Sequence, residues 1–273
     1  MLLTDTAFAK INLALHVRKR RPDGYHELET LFAFAEDGDV LSIAAADTLS
    51  LVITGPFAHG LSSGPDNLVL KAVAALAARA GIRAGAAFTL DKRLPIASGI
   101  GGGSADAAAA LRLAARLWAL DHVRPMDVAA DIGADVPACV LSQTCVGMGL
   151  GDRLEQIDGN ELGGLPLLLV NPMRPCPTGP VFQAWDGMDR GPLEIAHWMA
   201  ARNDLQLPAM RLVPEIGAVL ESLSNQPGNR LTRMSGSGAT CFSLFETGPA
   251  RDAAAAAIAG AHPNWWMLAT RLR

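Results

Sequence analysis

The sequence predicts an α+β protein in two layers, organised as two domains over residues 1–157 and 158–273. Two observations point there. Strand patterns crowd the N-terminal half with helices interspersed, without the regular βα alternation of a doubly wound sheet. The segment Asp158 to Gly164 is polar and punctuated by glycine, as a domain junction would be.

Phe8 to Val17 (FAKINLALHV) alternates as a strand, with Lys10 and Asn12 on one face and Ile11 and Leu13 on the other. Pro22-Asp23-Gly24 marks a turn, since proline presets φ and glycine tolerates positive φ. Leu28 to Phe34, Asp39 to Ala44, Leu49 to Thr54 and Ala87 to Asp91 read as further strands. Asn67 to Ala80 has helical spacing through Leu68, Ala72, Val73 and Leu76. Ala105 to Leu120 is the clearest helix, with Leu111, Leu113, Leu117 and Trp118 on a broad apolar face, and Pro125 to Ile132 is a shorter one. Gly133 to Pro137 reads as an apolar loop, and Val146 to Gly151 as a glycine-rich segment leading to Leu154. Beyond the junction, Pro166 to Val170, Thr240 to Phe245 and Trp265 to Arg271 read as strands, and Val213 to Leu223 and Ala250 to Ala259 as helices.

Composition narrows the classes. Of 273 residues, 50% are hydrophobic and 18% charged, which describes an ordered globular chain. A net charge of −4 argues against nucleic acid as a partner, because binding a phosphate backbone needs a basic surplus. The basic run Arg18 to Arg21 suits either a solvated turn or a small phosphorylated ligand. Cys139, Cys145, Cys176 and Cys241 form no C-x-x-C pair and read as buried thiols. The N-terminus lacks a signal-peptide pattern, and the longest uncharged stretches are broken by Pro, Gly, His or Asn. A cytoplasmic protein with no membrane partner is expected.

The chemistry begins at residues 95–106, Pro-Ile-Ala-Ser-Gly-Ile-Gly-Gly-Gly-Ser-Ala-Asp, which run into the alanine-rich helix. Glycines bare the backbone N–H groups, and a helix N-terminus adds its dipole, so such a loop seats phosphate. No lysine follows the glycines, which excludes a Walker A loop, and Ser104 stands where G-x-G-x-x-G needs its third glycine. No H-R-D or D-F-G is present, which excludes a protein kinase.

Phosphoryl transfer to an alcohol needs a cradle, a cation and a proton acceptor. Lys10 is an ammonium in an apolar strand, and Asp135 a carboxylate among apolar neighbours. If they meet, the lysine orients the carboxylate as a base toward the acceptor oxygen; the alternative is an ordinary salt bridge. Tyr25, the only tyrosine, lies beside His26 in a turn and suits stacking on a base, as does Phe182 after Pro177-Thr178-Gly179-Pro180. The Ser235 to Thr240 cluster reads by itself as a tight turn.

Together these segments resemble the GHMP kinase superfamily, named for galactokinase, homoserine kinase, mevalonate kinase and phosphomevalonate kinase. Its three motifs match residues 8–17, 95–105 and 234–242, and AKINLALHVRKRRPDGYHELETLF, GIGGGSADAA, GADVP and MSGSGATCF occur in order over nearly the whole chain. The resemblance implies the two-domain GHMP kinase fold, with an N-terminal domain like ribosomal protein S5 domain 2 and a ferredoxin-like C-terminal domain. It implies ATP as co-substrate and magnesium with unassigned ligands. The closest branch phosphorylates the 2-hydroxyl of 4-diphosphocytidyl-2-C-methyl-D-erythritol, in the non-mevalonate route to isoprenoid precursors. Lys10 and Asp135 carry over as the catalytic pair, and Asn12, Tyr25, His26, Thr178 and Phe182 as substrate-binding residues. Pro95, Ile96, Ala97, Ser98, Gly99, Ile100, Gly101, Gly102, Gly103, Ser104 and Ala105 carry over as the ATP phosphate loop, with Asn67 near the adenine. Ser98, Ala105 and Asp106 depart from the superfamily pattern, and Asp106 adds a negative charge near the triphosphate. The rivals are another GHMP kinase acting on homoserine or mevalonate, and a non-catalytic nucleotide- or RNA-binding module. A monomer or weak homodimer is expected.

Overall fold

The computed structural model describes residues 2–83 and 85–273. By packing, the chain groups into two compact units: Met1–Ala9, Asp37–Ile96 and Gly101–Ser142 in the first, and Lys10–Glu36, Ala97–Ile100 and Gln143–Arg273 in the second. Two long strands, β1 (Leu3–Arg20) and β2 (His26–Ala45), pair with each other and run through both units.

β2 is one continuous strand where the sequence predicts two. The exposed Glu36 and Asp37 resemble a loop, and Gly38 resembles a break. Gly38 instead serves a close approach: a Cβ there would lie 1.9 Å from the Ala7 carbonyl oxygen of β1.

In the first unit β2 pairs antiparallel with β4 (Ala86–Asp91), and β4 pairs parallel with β3 (Leu49–Thr54). Helices α1 (Leu68–Ala80), α2 (Gly102–Leu117), α3 (Met126–Ile132) and α4 (Val136–Leu141) complete it. Asn67 caps α1, its Oδ1 accepting from the Val69 N–H at 2.9 Å. α2 starts three residues earlier than the sequence predicts and ends three earlier, and what it buries is alanine: Ala105 and Ala107–Ala110 lie in the core, which lets α1 and α4 pack closely against it. α4 replaces the expected loop at its N-terminal end, because Pro137 stands in the first turn, where no N–H is needed.

In the second unit β2 pairs with β5 (Cys145–Gly149), which forms a hairpin with β6 (Arg153–Gln156). A second sheet is antiparallel in the order β10 (Trp266–Arg271), β7 (Pro166–Asn171), β9 (Cys241–Phe245), β8 (Asn229–Met234). With α7 (Glu215–Ser224) after β7 and α8 (Gly248–Ala261) after β9, this is the split βαβ order of a ferredoxin-like fold. Leu168, Val170, Ile216, Val219, Phe245 and Ile258 form its core, each buried side chain contributing about 1.5–3 kcal/mol. α5 (Thr178–Gln183), α6 (Gln206–Leu212), a 3-10 turn at Ile195–Ala200 and β8 were not expected from the sequence, being short or polar on one face.

Candidate active site

In the second unit, Lys10 is buried in β1 and donates from Nζ to Asn12 Oδ1 at 2.9 Å, with the ammonium 4.8 Å from the centre of the Phe32 ring. Asn12 Nδ2 donates to Thr30 Oγ1 at 2.8 Å, and Thr30 donates in turn to the Ala14 carbonyl at 2.7 Å. This chain of donors fixes the Asn12 amide, so that its oxygen is the group turned to the lysine.

The first glycines of the loop join this arrangement. The Lys10 N–H donates to the Ile100 carbonyl at 3.0 Å. Ser235 Oγ accepts from the Asn12 N–H at 3.1 Å and donates to the Gly99 carbonyl at 3.0 Å. Thr240 N–H donates to the Ser98 carbonyl at 3.1 Å. A Cβ on Gly99 (φ +78°) would lie 2.6 Å from the Ser235 oxygen and 2.7 Å from that of Gly238. The cluster at Ser235 to Thr240 is therefore more than the tight turn the sequence suggests: it is the bed of residues 98–100. Its exact partner could not be read from spacing, because 136 residues separate Gly99 from Ser235.

His26 is buried, its ring 5.0 Å from that of Phe182 and edge-on to Trp185 at 5.6 Å. Its Nε2 is buried and has no partner among the described residues. Burial, and secondarily the charge of Arg20, holds the imidazole pKa below its ordinary value. Thr178 Oγ1 lies 2.9 Å from Ser237 Oγ at the start of α5. The structure thus brings His26 together with Phe182, and Thr178 with the serine turn. Tyr25, next to His26 along the chain, is 63% exposed in the turn between β1 and β2. The basic run Arg18 to Arg21 is engaged in ion pairs: Arg18 with Glu29 and Asp189, Lys19 with Glu27, and Arg21 with Asp23.

In the first unit Gly101 adopts φ +64° at the head of α2, and Gly102, Gly103 and Ser104 form its first turn rather than a preceding loop. Asp135 is half-buried at the head of α4. Asp106 does not add an exposed charge near this turn. It is buried, with Oδ2 accepting from Lys92 Nζ at 2.6 Å, and the same ammonium reaches Asp39 Oδ2 at 2.5 Å. Asp39 Oδ1 also accepts from the backbone N–H groups of Arg93 and Leu94, while Asp106 Oδ1 has no hydrogen-bond partner among the described residues. Burial, only partly offset by Lys92, pushes the Asp106 pKa up to about 8. One ammonium cannot neutralise two buried carboxylates, and Asp106, which accepts fewer hydrogen bonds than Asp39, keeps a proton. Sequence reasoning missed Lys92 and Asp39, whose only signal was an aspartate opening one strand pattern and a lysine just after another.

The GHMP kinases N terminal domain family matches residues 67–143, and the GHMP kinases C terminal family matches residues 190–264. A 4-diphosphocytidyl-2-C-methyl-D-erythritol kinase of Rhizorhabdus wittichii is 56% identical, over 99% of this chain and 94% of its own. The chain belongs to the 4-diphosphocytidyl-2-C-methyl-D-erythritol kinases of the GHMP kinase superfamily. A second kinase of that name, from Sphingopyxis alaskensis, is 53% identical over 99% of both chains. A crystal structure of 4-(cytidine 5'-diphospho)-2C-methyl-D-erythritol kinase superposes with a TM-score of 0.84 at 33% identity, covering 98% of this chain and 99% of that one. A homoserine kinase from Cytophaga hutchinsonii has a TM-score of 0.71 at 14% identity over 99% of this chain and 95% of its own, and so shares the GHMP kinase fold. Among the described residues no helix is long and apolar enough to cross a membrane.

Proposed function

We propose that this protein transfers the γ-phosphoryl group of ATP to the 2-hydroxyl of 4-diphosphocytidyl-2-C-methyl-D-erythritol, in the cytoplasm, on the non-mevalonate route to isoprenoid precursors. Full-length similarity to kinases of that name carries the reading, and the unpartnered His26 nitrogen beside Phe182 supports a substrate that presents a base. Homoserine and mevalonate have no aromatic ring to lay against the His26–Phe182 pair. An RNA-binding role is disfavoured by the acidic balance of the chain.

In this reading the acceptor oxygen forms a bond to the γ-phosphorus as the bond to the β–γ bridging oxygen breaks, and the hydroxyl proton passes to Asp135. Lys10, held by Asn12, supplies positive charge at the acceptor and the transferred group. Residues 95–105 bind the phosphates, in part through the backbone N–H groups at the head of α2, and Asn67 lies on the adenine side. Phe182 and Tyr25 flank cytosine, His26 reads its edge, and Thr178 holds the sugar-alcohol portion. Among the described residues no three acidic, histidine or cysteine side chains cluster as a metal cage. Magnesium is expected with the triphosphate, its ligands unassigned, and the Ser104 hydroxyl would face either it or a phosphate. Magnesium there would neutralise charge on the β- and γ-phosphates. The protein acts as a monomer or weak homodimer, which sedimentation would read directly.

Phosphorus NMR of the product formed from ATP and the cytidine substrate tests the assignment, with homoserine and mevalonate as competing acceptors. A new phosphomonoester resonance is expected with the cytidine substrate alone. Lys10→Ala and Asp135→Ala are each expected to lower kcat by at least about a hundredfold while circular dichroism stays native. Normal turnover by Asp135→Ala would remove the general-base role.

A further inference from the structure

The second unit holds a cavity of about 460 Å³ that no step of the proposed reaction uses. It lies around the segment after α5, and Arg190, Arg202, Arg211, Arg233 and Trp185 are among its lining residues. Four guanidinium groups face only two lining carboxylates, Asp186 and Asp204, so the cavity is left net positive.

The four arginines differ in how far their charge is answered. Arg202 donates from Nε to Asp204 Oδ1 at 2.7 Å, and Asp204 also accepts from the Val17 N–H, so this pair is built into the wall. Arg190 pairs with Asp186 at the surface and reaches Asp204 at 4.0 Å. Arg211 is close enough to Asp186 for its charge to act on that carboxylate but makes no ion pair within 4.0 Å among the described residues. Arg233 is buried, yet its guanidinium donates only to the carbonyls of Leu13, Trp198 and Met199. Carbonyls satisfy its hydrogens without cancelling its charge, and burial holds its pKa down to about 10. A second polar group lacks a partner among the described residues: Trp185 Nε1 is buried and donates to none of them. An indole nitrogen can only donate, so it needs an acceptor.

A buried uncompensated cation, a second unpaired guanidinium and an orphaned donor along one cavity ask for the same thing, an oxyanion. We propose that this cavity binds a small phosphorylated molecule, with Arg190, Arg211 and Arg233 holding its phosphate and the Trp185 indole N–H donating to it. Ala184, Ala201 and Pro208 leave an apolar wall for a short uncharged body. The same indole meets the edge of the His26 ring, so occupancy of the cavity bears on the residue assigned to the base.

Inorganic pyrophosphate is the probe, titrated calorimetrically into the full chain and into Arg211→Ala and Arg190→Ala/Arg211→Ala variants. Arg211 is exposed, and its removal leaves the fold intact. Saturable binding is expected, weakened severalfold in the single variant and by more than about tenfold in the double variant, with kcat for the kinase reaction unchanged in both. Affinity unchanged in the double variant, with pyrophosphate displaced by ATP, would place the anion on the phosphate loop and overturn the proposal. So would an equal affinity for citrate, which would reduce the cavity to a nonspecific anion trap. Binding is read without turnover, so failure here leaves the kinase assignment standing, and a failed kinase assay leaves this site testable.

Discussion

At the scale of single residues, the buried groups with incomplete partners are the informative ones. Lys92 serves two carboxylates, and removing it strands both. Lys92→Met is expected to cost about 3–5 kcal/mol in urea unfolding, the range for breaking a buried ion pair by removing one partner. Asp106→Asn behaves differently, because its side chain already holds a proton. Its folded pKa of about 8 lies above the ordinary 3.8, so the native state binds the extra proton between those values. That contribution is complete below about pH 4 and is lost as pH rises through about 8. The variant is therefore expected to show a flatter decline of Tm between pH 6 and 9 than the parent chain; equal slopes would put the proton elsewhere. His26 has the opposite sign. Its pKa is lowered from 6.5, so the neutral ring persists below that value, and charging it at still lower pH works against burial. KM for the cytidine substrate is expected to rise in acid, and His26→Gln should raise KM at pH 7 while removing that acid dependence. A matched fall in kcat would instead mark His26 as acting on the transition state.

At the scale of elements, the glycines decide what was legible. Helix α1 and strand β3 follow from periodicity alone, and the structure reproduces them to within a residue, adding Asn67 as the helix cap. Gly38 and the glycines at 101–103 misled the reading, since a glycine that permits close approach looks the same in sequence as one that ends an element. At Gly38 it keeps a strand whole, and at Gly102 it leaves room where a Cβ would lie 3.1 Å from Lys92 Nζ. Part of the candidate site was visible as residue types, Lys10, Asn12, His26 and Phe182 among them, but Trp185, the contact of Ser235 with Gly99 and the Lys92 triad were not. Their partners lie far along the chain, and no local pattern encodes a contact of that span. Gly99→Ala is expected to cost about 1–3 kcal/mol through its positive φ and the Ser235 oxygen 2.6 Å from the added carbon. ATP affinity should fall with it, and a variant with parental Tm and parental ATP affinity would show that residues 98–100 tolerate displacement.

At the scale of the molecule, the two packing units do not follow one another along the chain. β1 changes unit between Ala9 and Lys10, and β2 between Glu36 and Asp37, each inside an unbroken strand. A fragment ending at residue 157 keeps residues 10–36 but loses Arg202, Asp204 and Ser235, to which β1 is hydrogen-bonded. Such a fragment is expected to melt without a cooperative transition; a sharp calorimetric peak would contradict this. The same interleaving orders events on the ribosome. Asp204, which closes the backbone of Leu15 and Val17, is made nearly two hundred residues after the apolar stretch from Ile11 to Val17. At about 5–20 residues per second that is a wait of roughly 10–40 s. Throughout it, the strand can pair with β2 but its other edge lacks the bonds from Arg202 and Asp204, which makes the nascent chain a client for whatever shields hydrophobic segments during translation.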